Sequence, residues 1–224
     1  MNHLGTRAVL VAATVLLARR TYLRWGATST EIHGPLTGDQ LLPDADLTAT
    51  RAVTIRAPAA QVWPWLAQLG QGRGGFYSYD RLENVVGCNI HNADHIVPEW
   101  QPIEVGNEVR LHPDLALVVA QIDRPHAVVL RGGVPMGTAP PPYDFTWAFV
   151  LREYSDGTSR LIVRERYSYV HWWSLLIVEP VELVSAIMSQ RMLRGIRDRA
   201  EMQALQFPSP QPGPDGTGPG PNEA

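Results

Sequence analysis

Two carboxylates and a histidine are the side chains of this sequence best suited to acid–base chemistry. Asp80 and Glu83 are three positions apart, so on a helix they share one face, and closely placed carboxylates can create a general acid or base. Histidine is the side chain that titrates near neutral pH, so His95 is a further candidate. These three are the candidate catalytic residues. For the two carboxylates, helix capping or pairing with arginine is the structural alternative.

Four residues are candidates for holding a ligand. Arg73 lies among glycines and could bind an anionic ligand group, or could pair with one of the two carboxylates. Tyr77 and Tyr79 could orient a ligand hydroxyl or carbonyl at the entrance of a cavity. Trp147 lies on the aromatic face of an alternating strand, where it could line a cavity or help to fill it.

Two further patterns are weaker. Gly70 to Gly75 has the spacing G-x-G-x-x-G, but it follows a predicted helix, whereas a dinucleotide site needs a strand before the glycines. His91 and His95 have the i, i+4 spacing of helical zinc sites, but Asn-Ala-Asp stands between them without the required glutamate. The sequence therefore predicts no metal site and no cofactor.

Charged residues alternate on the last predicted strand. Arg164 and Arg166 flank Glu165, and the arginines would clamp an anion if they faced inward. Alternation with Leu161 and Val163 instead predicts that the arginines face outward, as a solvated surface.

These residues are carried by a pattern of elements that predicts an α+β fold. Helical and β periodicities predict a first strand at 48–55, a helix from 57 to Gly70, where Pro58 would lie in the first turn, and a short helix at 79–86. Five more strands are predicted at about 108–111, 115–122, 127–131, 144–152 and 160–170. A long helix opened by Pro180 is predicted at 181–205.

The segments outside this core have distinct compositions. Residues 1–25 contain an apolar run between arginines that is shorter than a bilayer core, so a marginal membrane anchor, an interfacial helix and an amphipathic cap are all open. Residues 26–47 are turn-rich and predict a linker or strap, 48–206 form the folded domain, and the Pro/Gly-rich 207–224 predict disorder. The domain is predicted to be cytoplasmic; if the run associates with a membrane, the arginines that follow it predict contact with the inner face through residues 1–24.

Composition excludes several functions. The net charge of -3 and pI near 6.2 give no basic field, so nucleic acid is not a predicted partner. All 19 basic residues are arginine, which excludes Schiff-base lysine chemistry. Cys88 is the only cysteine, so no disulfide forms within the chain.

The segments APAAQVWPWLAQLGQGRGGFYSYDRLEN and MLRGIRDRAE, in this order of elements, resemble the START-like helix-grip superfamily. Within it the chain is similar to SRPBCC proteins of the polyketide cyclase/dehydrase-like kind, over about 48–205. The resemblance implies a curved seven-stranded antiparallel sheet that grips the C-terminal helix around an apolar pocket. It also implies binding of lipids, hormones or polyketides, with catalysis in only some members.

The leading hypothesis is therefore binding of a hydrophobic small molecule or lipid in an internal cavity, without catalysis. The first alternative is a cyclase/dehydratase-like enzyme that uses Asp80, Glu83 or His95 as acid and base. The second is a membrane-tethered interaction module. The sequence leaves the oligomeric state undetermined.

Overall fold

The computed structural model describes residues 3–85, 87–133 and 140–207, which form an α+β fold with a curved antiparallel sheet and a long C-terminal helix. The strands are β1 (Leu47–Ile55), β2 (Glu108–His112), β3 (Leu115–Asp123), β4 (Ala127–Gly132), β5 (Tyr143–Glu153) and β6 (Ser159–Tyr169). The helices are α1 (His3–Leu23), α2 (Ser29–His33), α3 (Ala59–Ala67), α4 (Asp80–Val85) and α5 (Leu175–Gln206). From residue 208 on, the tail predicted to be disordered lies outside the described residues.

In the sheet, the first strand of the chain pairs with the last one. Its order is β1-β6-β5-β4-β3-β2, and every neighbouring pair is antiparallel. The strand boundaries predicted from alternation are confirmed to within two residues.

The resemblance implies a seven-stranded sheet, and this number is corrected, because the sheet has six strands within the described residues. Residues 87–107, between α4 and β2, form loops and a 3-10 turn, Pro98–Trp100. Pro98 and Pro102 lack the backbone N–H that a strand would donate to a neighbour.

Both faces of the sheet are covered. The inner face, with Ala49, Ile55 and Leu161 among its buried residues, belongs to the main core, which also includes buried residues of α3 and α5. On the outer face, Ala52 and Ile162 pack with Leu36 of the strap (residues 26–47) in a second, smaller cluster. The strap is therefore a packed layer of the fold.

Arg164 faces outward, as alternation predicts, but it is not solvated. It is 2% exposed, pairs with Asp39 of the strap at 2.6 Å, and donates to the backbone oxygens of Glu31, Ile32 and Gly34. Arg166 likewise donates to backbone oxygens of the strap. The expectation of a solvated surface is wrong because the strap covers it with carbonyl oxygens.

The prediction that Pro180 opens the last helix is wrong. Helix α5 begins at Leu175, directly after a 3-10 turn at Trp172–Ser174, so Pro180 lies within its second turn. The backbone is already helical when it reaches the proline, and the missing N–H deprives only the carbonyl of Leu176, a residue that is 64% exposed.

Helix α5 is a core helix. By length and composition Trp172–Gln206 is the one segment among the described residues that could span a membrane. However, Leu193 and Ile196 are fully buried in the core, and four arginines lie between Arg191 and Arg199. The helix therefore packs one face against the core, while apolar residues on its other face, such as Leu176 and Ile187, are more than half exposed.

The apolar run near the N-terminus is part of helix α1, whose last turn joins the domain. Leu23 is buried in the main core, and Arg19 makes two hydrogen bonds to Glu179 of α5, at 2.5 and 3.0 Å. Earlier in the helix, Leu10 and Leu17 are more than 60% exposed. The helix therefore begins outside the domain and ends inside it.

Candidate functional site

An apolar cavity of about 260 Å³ lies between the inner face of the sheet and helix α5. A cavity of about 150 Å³ holds a benzene molecule, so this one has room for a ligand of roughly ten non-hydrogen atoms. Its apolar wall consists mainly of Phe76, Ile90, Leu111, Leu117, Tyr143, Phe145, Trp147, Val181, Met188 and Met192. Its dimensions and lining are those of a small-molecule site.

One end of the cavity is polar and is built around Glu165 of β6. Ser185 of α5 donates to both carboxylate oxygens, at 3.0 Å to Oε1 and 2.8 Å to Oε2. Ser189 donates to Oε1 at 3.0 Å, and the Tyr167 hydroxyl donates to Oε2 at 3.2 Å. All four residues line the cavity, so a ligand at this end meets a carboxylate whose hydrogen bonds come from serine and tyrosine hydroxyls.

Behind this polar end lies a buried ion cluster. Arg51 of β1 donates to Glu165 Oε1 at 3.0 Å and to Glu182 of α5, and its Nε donates to the backbone oxygen of Tyr22 in α1. Arg51 and Glu182 are 0% exposed. One guanidinium thus connects the sheet, α1 and α5, and it serves two carboxylates.

The two carboxylates of the cluster titrate in opposite directions. Burial, together with the negative charge of Glu165, raises the pKa of Glu182 to about 9. Burial would also raise the pKa of Glu165, but the Arg51 guanidinium and the hydrogen bonds from Glu182, Ser185 and Ser189 bring that pKa below its usual value. Near neutral pH the cluster therefore contains ionised Glu165 and protonated Glu182.

The orphaned oxygen of Glu182 agrees with this protonation. Its Oε2 is buried and accepts no hydrogen bond from any described residue. An ionised carboxylate buried in this way would lose favourable solvation at that oxygen, so the missing partner favours the protonated form.

Trp147 lines the cavity, as the alternation of β5 suggested it could. It stands directly opposite Glu165 across the β5–β6 pair, and its ring packs against Phe149 at 4.8 Å and Phe76 at 5.9 Å between centroids. Its Nε1–H is buried and finds no acceptor among the described residues. Trp147 is therefore at the junction of the apolar wall and the polar end.

Tyr77 does not line the cavity but lies in the core beside α3 and α5. It is 1% exposed, its hydroxyl donates to the backbone oxygen of Trp65 at 3.1 Å, and the Arg199 guanidinium lies 4.8 Å from its ring centroid. Burial raises the pKa of Tyr77. Tyr79, by contrast, is 45% exposed and lies outside the cavity lining.

Arg73 holds two segments of the backbone together. Its guanidinium donates to the carbonyl oxygen of Ala67, the last residue of α3, at 3.0 Å and to that of Trp100. Burial lowers the pKa of Arg73. The arginine neither lines the cavity nor pairs with Asp80, and it ties the end of α3 to the loop before β2.

The predicted acid–base residues are not brought together at the cavity. Asp80 is exposed and accepts from the backbone N–H of Arg81 at the start of α4. The side chain of Glu83 lies outside the described part of the structure. His95 is exposed and makes a hydrogen bond of 2.7 Å with Asp94. Among the described residues, no group of three or more His, Cys, Asp or Glu side chains could hold a metal ion.

The polar end of the cavity was missed by the sequence analysis, although its signal was present. The alternation that turns Arg164 outward turns Glu165 inward. On α5, Glu182, Ser185 and Ser189 are spaced i, i+3 and i+7, which places them on one helix face. A glutamate at an inward strand position is the feature that predicts a buried polar site.

Comparisons with known proteins show no family. No family model matches the chain, and no curated protein matches it. Protein Ms6760 from Mycobacterium smegmatis is 19% identical over 69% of this chain and 91% of its own, with a TM-score of 0.39. Protein jhp0584 from Helicobacter pylori is 12% identical over 78% and 99%, with a TM-score of 0.45.

The solved structures with similarity also include the di-domain ARO/CYC BexL from the BE-7585A biosynthetic pathway. It is 12% identical over 72% of this chain and 48% of its own, with a TM-score of 0.39. Identities and TM-scores this low carry no argument about what this chain binds or catalyses.

Proposed function

We propose that this chain is a helix-grip domain of the START-like, SRPBCC kind that binds a hydrophobic small molecule or lipid in its internal cavity. The observation that carries the proposal is the 260 Å³ cavity with an almost wholly apolar lining and one polar end. Apolar surface removed from water contributes about 25 cal/mol per Å², and the polar end would fix the orientation of the ligand.

A path into the cavity is available along α5. Val181 lines the cavity and is also 43% exposed, so its side chain forms part of the wall between the interior and solvent. Movement of this side chain, rather than unfolding of the helix, would admit a ligand.

Native mass spectrometry of protein purified without detergent tests the proposal. We expect a mass excess over the apoprotein that is lost after extraction with organic solvent, and we expect the extract to contain an apolar compound. Protein that carries no such compound, and takes up none when incubated with apolar compounds of this size, would contradict the proposal.

The cyclase/dehydratase-like alternative has less support. Asp80 and His95 are exposed and do not line the cavity. Glu165 is the one carboxylate in the described lining, and five hydrogen-bond contacts already occupy its oxygens. A reaction would need a base with a free lone pair directed at the substrate.

A second candidate function, contact with a lipid bilayer, is favoured by exposed apolar residues on α5. Trp172, Leu176, Leu183, Val184 and Ile187 are 48–79% exposed, and helical spacing places the four α5 residues on the face opposite the core. The four residues Leu176, Leu183, Val184 and Ile187 are called the α5 stripe. Leu183 is two positions from Val181 in the sequence.

The exposed part of α1 extends the same property. Leu10, Val15, Leu16 and Leu17 are all at least 60% exposed, and α1 joins α5 through the Arg19–Glu179 pair. Exposed apolar side chains followed by arginines suit the interface of an anionic membrane. We therefore propose that the domain contacts the inner face of the membrane through α1 and the α5 stripe.

Sedimentation with vesicles tests this contact. The wild-type chain should co-sediment with vesicles that contain anionic lipid, and the double substitution Leu183→Glu and Ile187→Glu should reduce the bound fraction severalfold. Val105→Glu is the matched control, because Val105 is 62% exposed on the loop before β2 and outside the stripe. Equal binding by both variants would contradict a role for the stripe.

A further inference from the structure

We infer that the polar end of the cavity accepts the hydroxyl group of a neutral apolar ligand and discriminates against a carboxylate. The inference rests on the proposed ligand-binding function, and it assigns the chemical class of ligand that the cavity takes. It follows from three properties of the polar end: its hydrogen bonding, its charge and its neighbours.

The polar end offers several acceptors and one unpaired donor, the buried Nε1–H of Trp147, and a hydroxyl group can satisfy both kinds of partner. Ser185, Ser189 and Tyr167 each carry a single hydroxyl hydrogen, and each hydroxyl lies within 3.2 Å of a Glu165 oxygen, to which it donates. What these side chains still present to the cavity is the lone pairs of their oxygens. A ligand hydroxyl can donate to such a lone pair, whereas a ligand carboxylate has no hydrogen to donate.

The charge of the polar end also opposes an anion. Glu165 lines the cavity, while Arg51, which neutralises it, lies behind it and is 0% exposed. No arginine lines the cavity among the described residues. A ligand carboxylate at this end would therefore meet a like charge across a short distance, and the one neutral N–H of Trp147 would not replace the hydration that it loses.

A cationic ligand is disfavoured for a different reason. Glu165 already receives a hydrogen bond from the Arg51 guanidinium and three more contacts from the serine hydroxyls. An ammonium group would enter an apolar cavity with one carboxylate that is shared with another cation, which does not repay its desolvation. A neutral hydroxyl loses the least hydration of the three groups.

Competition against a neutral fluorescent probe tests the inference. Naphthalene, a neutral fluorophore whose size matches the cavity, would be bound to the full chain at pH 7.5 and displaced by 1-decanol, decanoate or decylammonium, which have equal chain length. We expect decanol to bind at least about tenfold tighter than either ion. Decanoate or decylammonium that binds as tightly as decanol would overturn the inference and leave the ligand-binding function intact.

Two variants locate the selectivity at the polar end. Ser185→Ala removes one oxygen from the cavity wall and should weaken decanol about five- to tenfold while leaving decane binding unchanged. Glu165→Gln removes the negative charge and adds an N–H₂ donor, so it should narrow the preference for decanol over decanoate. The variant Ser185→Ala keeps the Arg51 ion pairs. If its preference for decanol over decane equals that of the wild-type chain, the inference is overturned, even if Glu165→Gln does not fold.

The outcomes distinguish a failure of the inferred hydroxyl preference from a failure of the proposed ligand-binding function. If the wild-type chain binds neither the probe nor any of the four decyl compounds, the proposed ligand-binding function fails and the inference fails with it. If the probe and the compounds bind without preference for decanol, the inference alone fails.

Discussion

The Ser185 hydroxyl of α5 lies 2.8 and 3.0 Å from the two carboxylate oxygens of Glu165 on β6, so one side chain of the long helix holds both oxygens of one side chain of the sheet. This contact joins the two elements that enclose the cavity. It also fixes the chemistry of the polar end, because it uses the hydroxyl hydrogen of Ser185 and leaves its lone pairs for a ligand.

Glu182 should make stability fall as the solution becomes alkaline. Its pKa lies above the usual 4.5, at about 9, so the folded state binds a proton that the unfolded state releases. The stabilisation is complete below about pH 4.5 and is lost as the pH rises through about 9. Between those values the free energy of unfolding should fall by up to about 1.4 kcal/mol per pH unit.

The variant Glu182→Gln isolates this dependence, because glutamine mimics the protonated acid and does not titrate. Urea unfolding between pH 5 and 9 should show a much flatter slope than in the wild-type chain. Glu179→Gln on the same helix is the control, since the side chain of Glu179 is 33% exposed. A wild-type slope that survives in Glu182→Gln would show that Glu182 is not the group that binds the proton.

Glu165 should act in the opposite direction at low pH. Its pKa is depressed in the fold, so its contribution is present above its usual value and is lost as the pH falls through the folded one. Acid unfolding followed by circular dichroism should move to higher pH in Ser189→Ala, because that variant removes a hydrogen bond to the ionised form. An acid midpoint that is unchanged or lower would contradict this arrangement.

Loss of Arg51 should be strongly destabilising. Arg51→Met would leave the buried carboxylates of Glu165 and Glu182 without a guanidinium, and breaking a buried ion pair in this way costs about 3–5 kcal/mol. Chemical denaturation measures the change. Arg56→Met is the control, because the Arg56 side chain is 82% exposed and its pair with Glu201 should contribute less than about 1 kcal/mol.

Two further substitutions distinguish the cost of unpaired carboxylates from the cost of the packing that Arg51 provides. If the cost of Arg51→Met comes from stranded carboxylates, then Arg51→Met combined with Glu165→Gln and Glu182→Gln should recover part of the stability. A triple variant that is no more stable than Arg51→Met alone would assign the cost to lost packing.

Gly195 should not tolerate a methyl group. A Cβ at this position would lie 2.3 Å from the backbone oxygen of Tyr77, whose own φ is +55°. Gly195→Ala gains about 1 kcal/mol of helix propensity but forces α5 away from this loop, so we expect a net loss of about 1–3 kcal/mol in thermal or chemical unfolding. Leu205→Ala, at an exposed position of the same helix, should change stability little; a stable Gly195→Ala would show that the loop can move.

Local pattern predicts the strands well: large apolar side chains recur at every second position of β5, a tight turn separates it from β6, and both strands agree with the predicted bounds to within two residues. Burial itself does not alternate there, because both faces of the sheet are covered. The start of α5 was misjudged because a proline within the second turn resembles a proline at the first. A strap is one of the two predictions for residues 26–47, but its cover over Arg164 is not predictable from side-chain pattern, because most of those contacts are through backbone carbonyls and the Asp39 pair joins residues far apart in the sequence.

The residues of the candidate site also differ in how far the sequence alone predicts their positions. Trp147 followed from strand alternation alone. Tyr77 stands in a loop with left-handed φ, where no periodicity tells which way a side chain points, and burial turned it into the core. Glu165 needed one further step, which is to ask what an acidic residue does at an inward position. Apart from Tyr167 on the same strand, its partners come from β1 and α5, at least 20 residues away in the sequence, so the cluster as a whole is a product of the tertiary fold.

The measurement that tests the central claim most directly is fluorescence titration of the chain with naphthalene, a neutral compound whose size matches the cavity, in a matched pair of variants. Met188 lines the cavity and Ile187, its neighbour, is 52% exposed on the α5 stripe, so Met188→Trp fills the interior while Ile187→Trp adds the same bulk outside. We predict saturable binding to the wild-type chain and to Ile187→Trp, and at least about tenfold weaker binding to Met188→Trp. Equal binding by the two variants would contradict a ligand site in the cavity.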